Sequence, residues 1–142
     1  MRIGRLFKFN QAFGWAAGFF LLVAIDQFTK RLPKFVFLND RFAFSLPLPP
    51  WAMYVIYAAV LGGSVWYVAQ RRKALSTRQK LAWLLVWAGA LSNVGERLVL
   101  GHVRDWIYVL DGVFNLADGY ILLGIVILLL FDPQKSPERR QV

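Results

Sequence analysis

The sequence predicts an all-α membrane protein with a small β element, four transmembrane helices carrying a short sheet on the outer face. Three observations lead there. The 142-residue chain is 58% apolar with a mean hydropathy of +0.47, too apolar for an ordinary soluble domain of that length. Its basic residues fall in short blocks between four apolar runs. Two of the connecting segments are rich in aromatic and β-branched residues, the composition of short strands. One domain, 1–142, holds all of this.

The first span is expected over about residues 10–29, since Phe9 to Ile25 carries no charge. Arg2, Arg5 and Lys8 ahead of it look like the start of a signal peptide, but no small-x-small cleavage site follows. The run continues into Asp26-Gln27-Phe28-Thr29-Lys30, and a retained span is the expectation. After an outer segment of about 30–50, the second span (about 51–69) follows Pro47, Pro49 and Pro50. The third and fourth uncharged runs, Leu81 to Gly95 and Gly119 to Phe131, are short. They reach the roughly 20 residues of a bilayer crossing only if extended through Glu96 and back through Asp118, giving spans of about 81–99 and 113–131. Within the outer segments, Lys34 to Leu46 is expected to form one or two strands, and Val103 to Phe114 to supply partners with a turn at Asp111-Gly112.

Charge orients the spans. Arg2, Arg5, Lys8, Arg71, Arg72, Lys73, Arg78, Lys80, Lys135, Arg139 and Arg140 fall on one side, eleven against the six of Lys30, Arg31, Lys34, Arg41, Arg97 and Arg104. The positive-inside rule then places both termini in the cytoplasm. Asp26, Asp40, Glu96, Asp105, Asp111 and Asp118 lie on or near the outer side, so any chemistry faces outward.

Composition also excludes. With no Cys there is no disulfide, thiol nucleophile or thiolate metal site, and a single His102 leaves no zinc cluster. No metal or other cofactor is expected. The formal charge of +9 comes in separated blocks without the continuous basic stripe that nucleic acid needs, so phospholipid headgroups are the expected counterpart.

Glu96 and Asp118 are the acids that apolar surroundings make expensive. At about 1.5 Å per residue they lie at matching depths, roughly 22 and 20 Å from the cytoplasmic ends of their spans. Asn93 and Asn115, each three residues earlier, can hydrogen-bond toward them on a helical face. Two carboxylates close together in low dielectric cannot both ionise easily. One then takes a proton from water and the other donates to a peptide carbonyl, without a metal or a nucleophilic side chain. The alternative is structural: interfacial acids that snorkel to headgroups, or acids paired with Arg97 and Arg104. Asp26 and Lys30, four apart, have the spacing of a helical ion pair. Ser92 and Ser45 have no suitable base nearby, which disfavours a serine mechanism.

The blocks Asp26-Gln27-x-Thr29-Lys30, Asn39 before Ala43-Phe44-Ser45, Asn93-x-x-Glu96-Arg97-x-x-x-Gly101-x-Val103-x-Asp105-Trp106 and Phe114-Asn115-x-Ala117-Asp118 resemble lipoprotein signal peptidase, the signal peptidase II family. The resemblance implies a four-helix membrane aspartic peptidase with an outer-face β-cradle, which cuts the signal peptide of a prolipoprotein before its diacylglyceryl-modified Cys. It implies a dyad at Glu96 and Asp118, with Asp26, Lys30, Asn39, Asn93, Arg97 and Asn115 around it. The partners implied are prolipoprotein substrates and membrane phospholipids; a monomer is the expected state. Three positions depart from the family: Glu96 stands for Asp, Ser92 for Gly, and Arg41-Phe42 for a Gly-Ala pair. Arg41 and Phe42 are expected to narrow or re-charge the substrate groove beside Asn39. The extra methylene of Glu96 motivates a second reading, a non-catalytic relative that binds lipidated peptide or phospholipid. A small transporter is disfavoured because the charges cluster at one depth.

Overall fold

A computed structural model describes residues 3–40 and 47–131. Arg41 and Phe42 lie outside these residues, as do Ala43, Phe44 and Ser45. Four helices lie over the four apolar runs among the described residues: α1 (Ile3–Thr29), α2 (Pro50–Arg71), α3 (Thr77–Leu100) and α4 (Leu116–Leu130). Four short strands join them: β1 (Phe37–Asn39), β2 (Val103–Asp105), β3 (Ile107–Val109) and β4 (Gly112–Phe114). Two of the helices, through Ala12–Thr29 and Pro50–Arg71, are long and apolar enough to cross a bilayer.

Local sequence sets the helix ends. Pro50 opens α2, where its missing N–H costs nothing and its fixed φ suits the first turn. Ser76 and Gln79 form a reciprocal capping box at the start of α3. That helix stops at Gly101, whose left-handed φ of 80° lets its N–H bond back to the Arg97 carbonyl. Asn115 and Asp118 form a second capping box, so α4 begins at Leu116. The fourth span expected from residue 113 is corrected accordingly: Val113 and Phe114 are strand residues and Asn115 is the cap. Asp118 thus sits in the first turn of a 15-residue helix, about 22 Å long.

The helices gather into a bundle in which α3 is central, packed on α1 and most extensively on α4. Small residues permit the close α3–α4 approach. A Cβ added at Gly89 would lie 2.3 Å from the Ala117 carbonyl oxygen, and one at Gly124 would lie 2.6 Å from that of Ala82. At the far end, Gln79 Nε2 donates to the Phe131 carbonyl at 2.9 Å and ties the start of α3 to the end of α4. The second helix joins α3 through side chains. Trp87 donates to Ser64 Oγ at 2.9 Å, Tyr67 packs on Trp83, and Tyr54 and Tyr57 reach Arg97.

The strands cap the end where α1 and α3 finish and α4 starts. Antiparallel β1–β2 pairing sets Phe37 opposite Asp105, Leu38 opposite Arg104 and Asn39 opposite Val103. Strand alternation therefore puts Val103 and Asp105 on one face and Arg104 on the other. The β3–β4 hairpin turns at Leu110-Asp111, one residue before the expected Asp111-Gly112. Leu110 takes the left-handed φ of 51°, and Gly112 is needed for space, because a Cβ there would meet the Phe114 ring at 2.7 Å.

Gly89 sets how closely the first turn of α4, with Asp118, seats on α3. Gly89→Ala should lower the melting temperature of the detergent-purified protein, overpacking costing about 1–3 kcal/mol. Gly95→Ala, with nothing within 4 Å of the added Cβ, should leave it unchanged or raise it. Equal melting temperatures for the two variants would contradict this packing.

Candidate active site

A small cavity of about 160 Å³ opens where the strands meet the helix ends. Ala90, Val94, Val103 and Ile121 supply apolar wall; Asn39, Tyr57, Asn93, Arg97, Asp105, Asn115 and Asp118 supply the polar groups. Two carboxylates line it, and they are Asp105 and Asp118.

Each of these acids is held at both oxygens. Asn115 Nδ2 donates to Asp105 Oδ1 at 2.6 Å and Asn39 Nδ2 to Oδ2 at 2.9 Å. Asn93 Nδ2 donates to Asp118 Oδ1 at 2.9 Å, and the Asn115 backbone N–H to Oδ2 at 3.0 Å. Asn115 therefore binds one acid with its side chain and the other with its backbone. That arrangement follows from its position as the α4 cap, where β4 ends and the helix begins. The two acids are within electrostatic reach of each other. Burial pushes the Asp105 carboxyl above its ordinary value of 3.8, outweighing the amides of Asn39 and Asn115 that favour its ionised form.

Behind the cavity lies an ion cluster built on Lys30. Its ammonium is 2.8 Å from Asp26 Oδ2, 2.8 Å from Glu96 Oε2 and 2.8 Å from Asn93 Oδ1. Lys30 and Asp26 are buried at 1% and 0% exposure, so the cation survives out of water only through these acceptors. Asp26 also accepts from Ser92 Oγ at 2.6 Å and from the Ala117 N–H at 2.9 Å, which pins the first turn of α4. Gln27 donates to the same Ser92 hydroxyl at 2.9 Å. The helical ion pair expected of Asp26 and Lys30 is present, and it is one part of a larger network.

Glu96 does not face Asp118. Its Oε2 is paired with Lys30 and its Oε1 accepts from Arg104 Nε, so both oxygens turn away from the cavity, which Glu96 does not line. The expected Glu96–Asp118 juxtaposition is corrected to Asp105–Asp118. Asn93, three residues before Glu96, turns away from it too, since Lys30 takes its carbonyl and leaves the amide for Asp118. Arg97 packs over the Tyr57 ring at 5.8 Å, donates to its hydroxyl at 2.7 Å, and reaches the Asn39 carbonyl at 3.4 Å.

Asn39, Asn93, Arg97 and Asn115 line the cavity with Asp118, whereas Asp26, Lys30 and Glu96 lie in the ion cluster behind it. Asp105 escapes sequence reasoning based on apolar context because it lies in an outer segment, where an acid costs little. The alternation Val103-Arg104-Asp105 is a weak signal for it, since a strand there turns Asp105 to the same face as an apolar residue, and Asp105 also stands in the family-like block quoted above. Tyr57 carries no sequence signal of this kind.

The fold and this site, with one acid on a strand and the other in the first turn of a helix, can be set beside known proteins. Residues 18–132 match the family model for signal peptidase (SPase) II, and the chain belongs to that family. The lipoprotein signal peptidase of Streptococcus pyogenes serotype M1 is 33% identical over 132 residues, covering 78% of this chain and 86% of its own. That of serotype M5 (strain Manfredo) gives the same figures. A bacterial membrane enzyme solved in meso at 2.3 Å superposes with a TM-score of 0.70 at 21% identity, covering 91% of this chain and 94% of its own. A second, at 1.9 Å, gives 0.66 at 21%, covering 82% and 90%. The family is one of proteases that process lipoproteins in bacterial membranes.

Removing the cation from the cluster is a direct check. Lys30→Met leaves Asp26 and Glu96 buried against each other's charge, a loss of about 3–5 kcal/mol. The variant should fail to accumulate in membranes or melt far below the parent in detergent. A melting temperature equal to the parent's would show that the acids do not depend on Lys30.

Proposed function

We propose that this protein is a membrane aspartic endopeptidase that removes signal peptides from lipid-modified prolipoproteins, cutting before the diacylglyceryl-Cys, with Asp105 and Asp118 as the acting pair. The carrying observation is Asn115, which ties both carboxylates to one cavity through its side chain and its backbone. In this reading the four helices span the bilayer with both termini cytoplasmic, and the cavity opens near the outer surface, where a lipidated Cys meets the headgroups.

Charge balance supports a shared proton. Lys30, Arg97 and Arg104 surround the site as cations, while Asp26 and Glu96 answer two of them. One negative charge on the Asp105–Asp118 pair neutralises the remainder, whereas two would leave an excess anion in low dielectric. Both acids accept two amide donors, so the proton belongs to the pair rather than to one member.

The chemistry follows from that state. The ionised acid takes a proton from a water as its oxygen attacks the scissile carbonyl carbon. The protonated acid donates to the carbonyl oxygen as negative charge develops there, in a cavity where water screens little. Collapse of the tetrahedral intermediate breaks the C–N bond, and the leaving nitrogen takes a proton from the pair. The apolar wall of Ala90, Val94, Val103 and Ile121 leaves room for a small side chain next to the reacting bond. The non-catalytic reading drew its support from Glu96 standing in a catalytic place, and it loses that support once Glu96 is paired behind the cavity.

Asp105→Asn and Asp118→Asn should each lower cleavage of a diacylglyceryl-modified prolipoprotein by at least about a hundredfold, the contribution general acid–base groups make. A fold-intact Asp105→Asn that cleaves normally would overturn the assignment.

The pair also predicts a bell-shaped dependence of kcat on pH. Below the lower apparent pKa both acids are protonated and no base remains; above the higher one both are ionised and no acid remains. Because burial raises Asp105, the alkaline limb should lie above the ordinary carboxylate range. A profile that only rises with pH would contradict the shared proton.

Orientation is tested by thiol labelling, since the chain has no Cys. An impermeant reagent applied from outside should modify a Cys placed at Asp111 and spare one at Thr77. The opposite pattern would reverse the topology.

A further inference from the structure

The ion pair between Glu96 and Arg104 takes no part in the chemistry above, yet it joins β2, which carries Asp105, to α3, whose Asn93 holds Asp118. Strand alternation turns Arg104 to the opposite face of β2 from Asp105. From there its guanidinium reaches Glu96 on α3 through Nε and Gln27 on α1 through Nη2, at 3.4 Å to Gln27 Oε1. A two-stranded sheet of three-residue strands is marginal by itself, so β2 needs an anchor beyond its pairing with β1.

The single Glu96 carboxylate stands at a branch. One arm runs from Oε2 to Lys30, from Lys30 to the Asn93 carbonyl at 2.8 Å, and from the Asn93 amide to Asp118 at 2.9 Å. The other runs from Oε1 to Arg104 and along one residue of β2 to Asp105. Serving both arms takes length. An aspartate at this position, as in the resembled family, is one methylene shorter and cannot keep Lys30 while also reaching across to β2. Glu96 and Arg104 therefore belong together, the long acid reaching both Lys30 and Arg104.

We propose that Glu96 and Arg104 are a matched pair of positioning residues that set the spacing of Asp105 and Asp118, one carboxylate orienting Asn93 through Lys30 and anchoring β2 through Arg104. This rests on the assignment of Asp105 and Asp118 as the acting pair. It also gives Glu96 a role that its departure from the family's Asp does not weaken.

The test is steady-state cleavage of a diacylglyceryl-modified prolipoprotein by purified protein in mixed micelles, with the melting temperature of each variant recorded. Glu96→Asp and Arg104→Leu should each lower kcat about ten- to a hundredfold, the effect of displacing a reacting group by about 1 Å, with KM within about twofold. Arg104→Lys should recover most of the loss seen in Arg104→Leu, because a lysine restores the cation. The double variant Glu96→Asp/Arg104→Leu should be no slower than the slower single variant, since both break the same contact. Multiplying losses in the double variant, or a kcat equal to the parent's in Arg104→Leu, would overturn the proposal. If Glu96→Asp does not accumulate, Arg104→Leu and Arg104→Lys decide between the same outcomes. Asp105→Asn in the same assay keeps the two claims apart. An active Asp105→Asn means the acting pair is wrong, whereas an inactive one beside an unimpaired Arg104→Leu means only the positioning pair is wrong.

Discussion

An ammonium group removed from water must be surrounded by acceptors, and the way this chain surrounds Lys30 decides most of the strand-capped end of the bundle. Three contacts at 2.8 Å take the lysine, one residue past the end of α1, to Asp26 on that helix and to Asn93 and Glu96 on α3. Leaving any one of these acids without the cation would cost several kcal/mol, so α1 and α3 are locked at a single depth. Asp26 then passes the constraint on, because its second oxygen takes the Ala117 N–H at the start of α4. Three helices are thereby registered by one buried charge. The apolar faces alone could not do this, since lipid tails and leucine side chains are equally good solvents for one another.

That registration is what makes the cavity chemical. A capping asparagine at the first turn of α4 would ordinarily serve only the helix. Here Asn115 also extends its amide to Asp105, because the end of β4 is tied to the residue just after β2 by the Trp106 N–H to Phe114 carbonyl bond of 2.9 Å. Gly89 permits the approach of Ala117 that seats this turn. Packing, capping and electrostatics thus converge on the same few residues, and the two acids inherit their spacing from elements that are each required for the fold.

Much of this was legible in the sequence, and the limits are physical. The apolar runs and the basic blocks gave the helical architecture, and the aromatic, β-branched segments gave the strands near Phe37 and Val103. The six supporting polar residues were named by the family resemblance; spacing and apolar context alone pointed only to Asn93, Asn115 and the Asp26–Lys30 pair. The choice of acid was not legible by the same logic. Burial cost singles out Glu96, inside a helix, over Asp105, in a three-residue strand, whereas tertiary structure buries both. Only the pairing of β1 with β2 reveals that Asp105 turns inward. The start of α4 was likewise misplaced because hydropathy does not distinguish a strand residue such as Val113 from a helical one, while the Asn115 cap does.

Glu96 illustrates how a departure from a family pattern can be read two ways. Taken as a member of the acting pair it suggests lost function; seen beside Lys30 and Arg104 it is a longer arm that serves two cations. The measurement that separates these accounts most directly is a crystal structure of the protein with a peptide analogue whose hydroxyl mimics the tetrahedral intermediate. Such a hydroxyl should lie within hydrogen-bond distance of both Asp105 and Asp118, with Glu96 still on Lys30 and Arg104. A hydroxyl held between Glu96 and Asp118, with Asp105 turned away, would contradict the account.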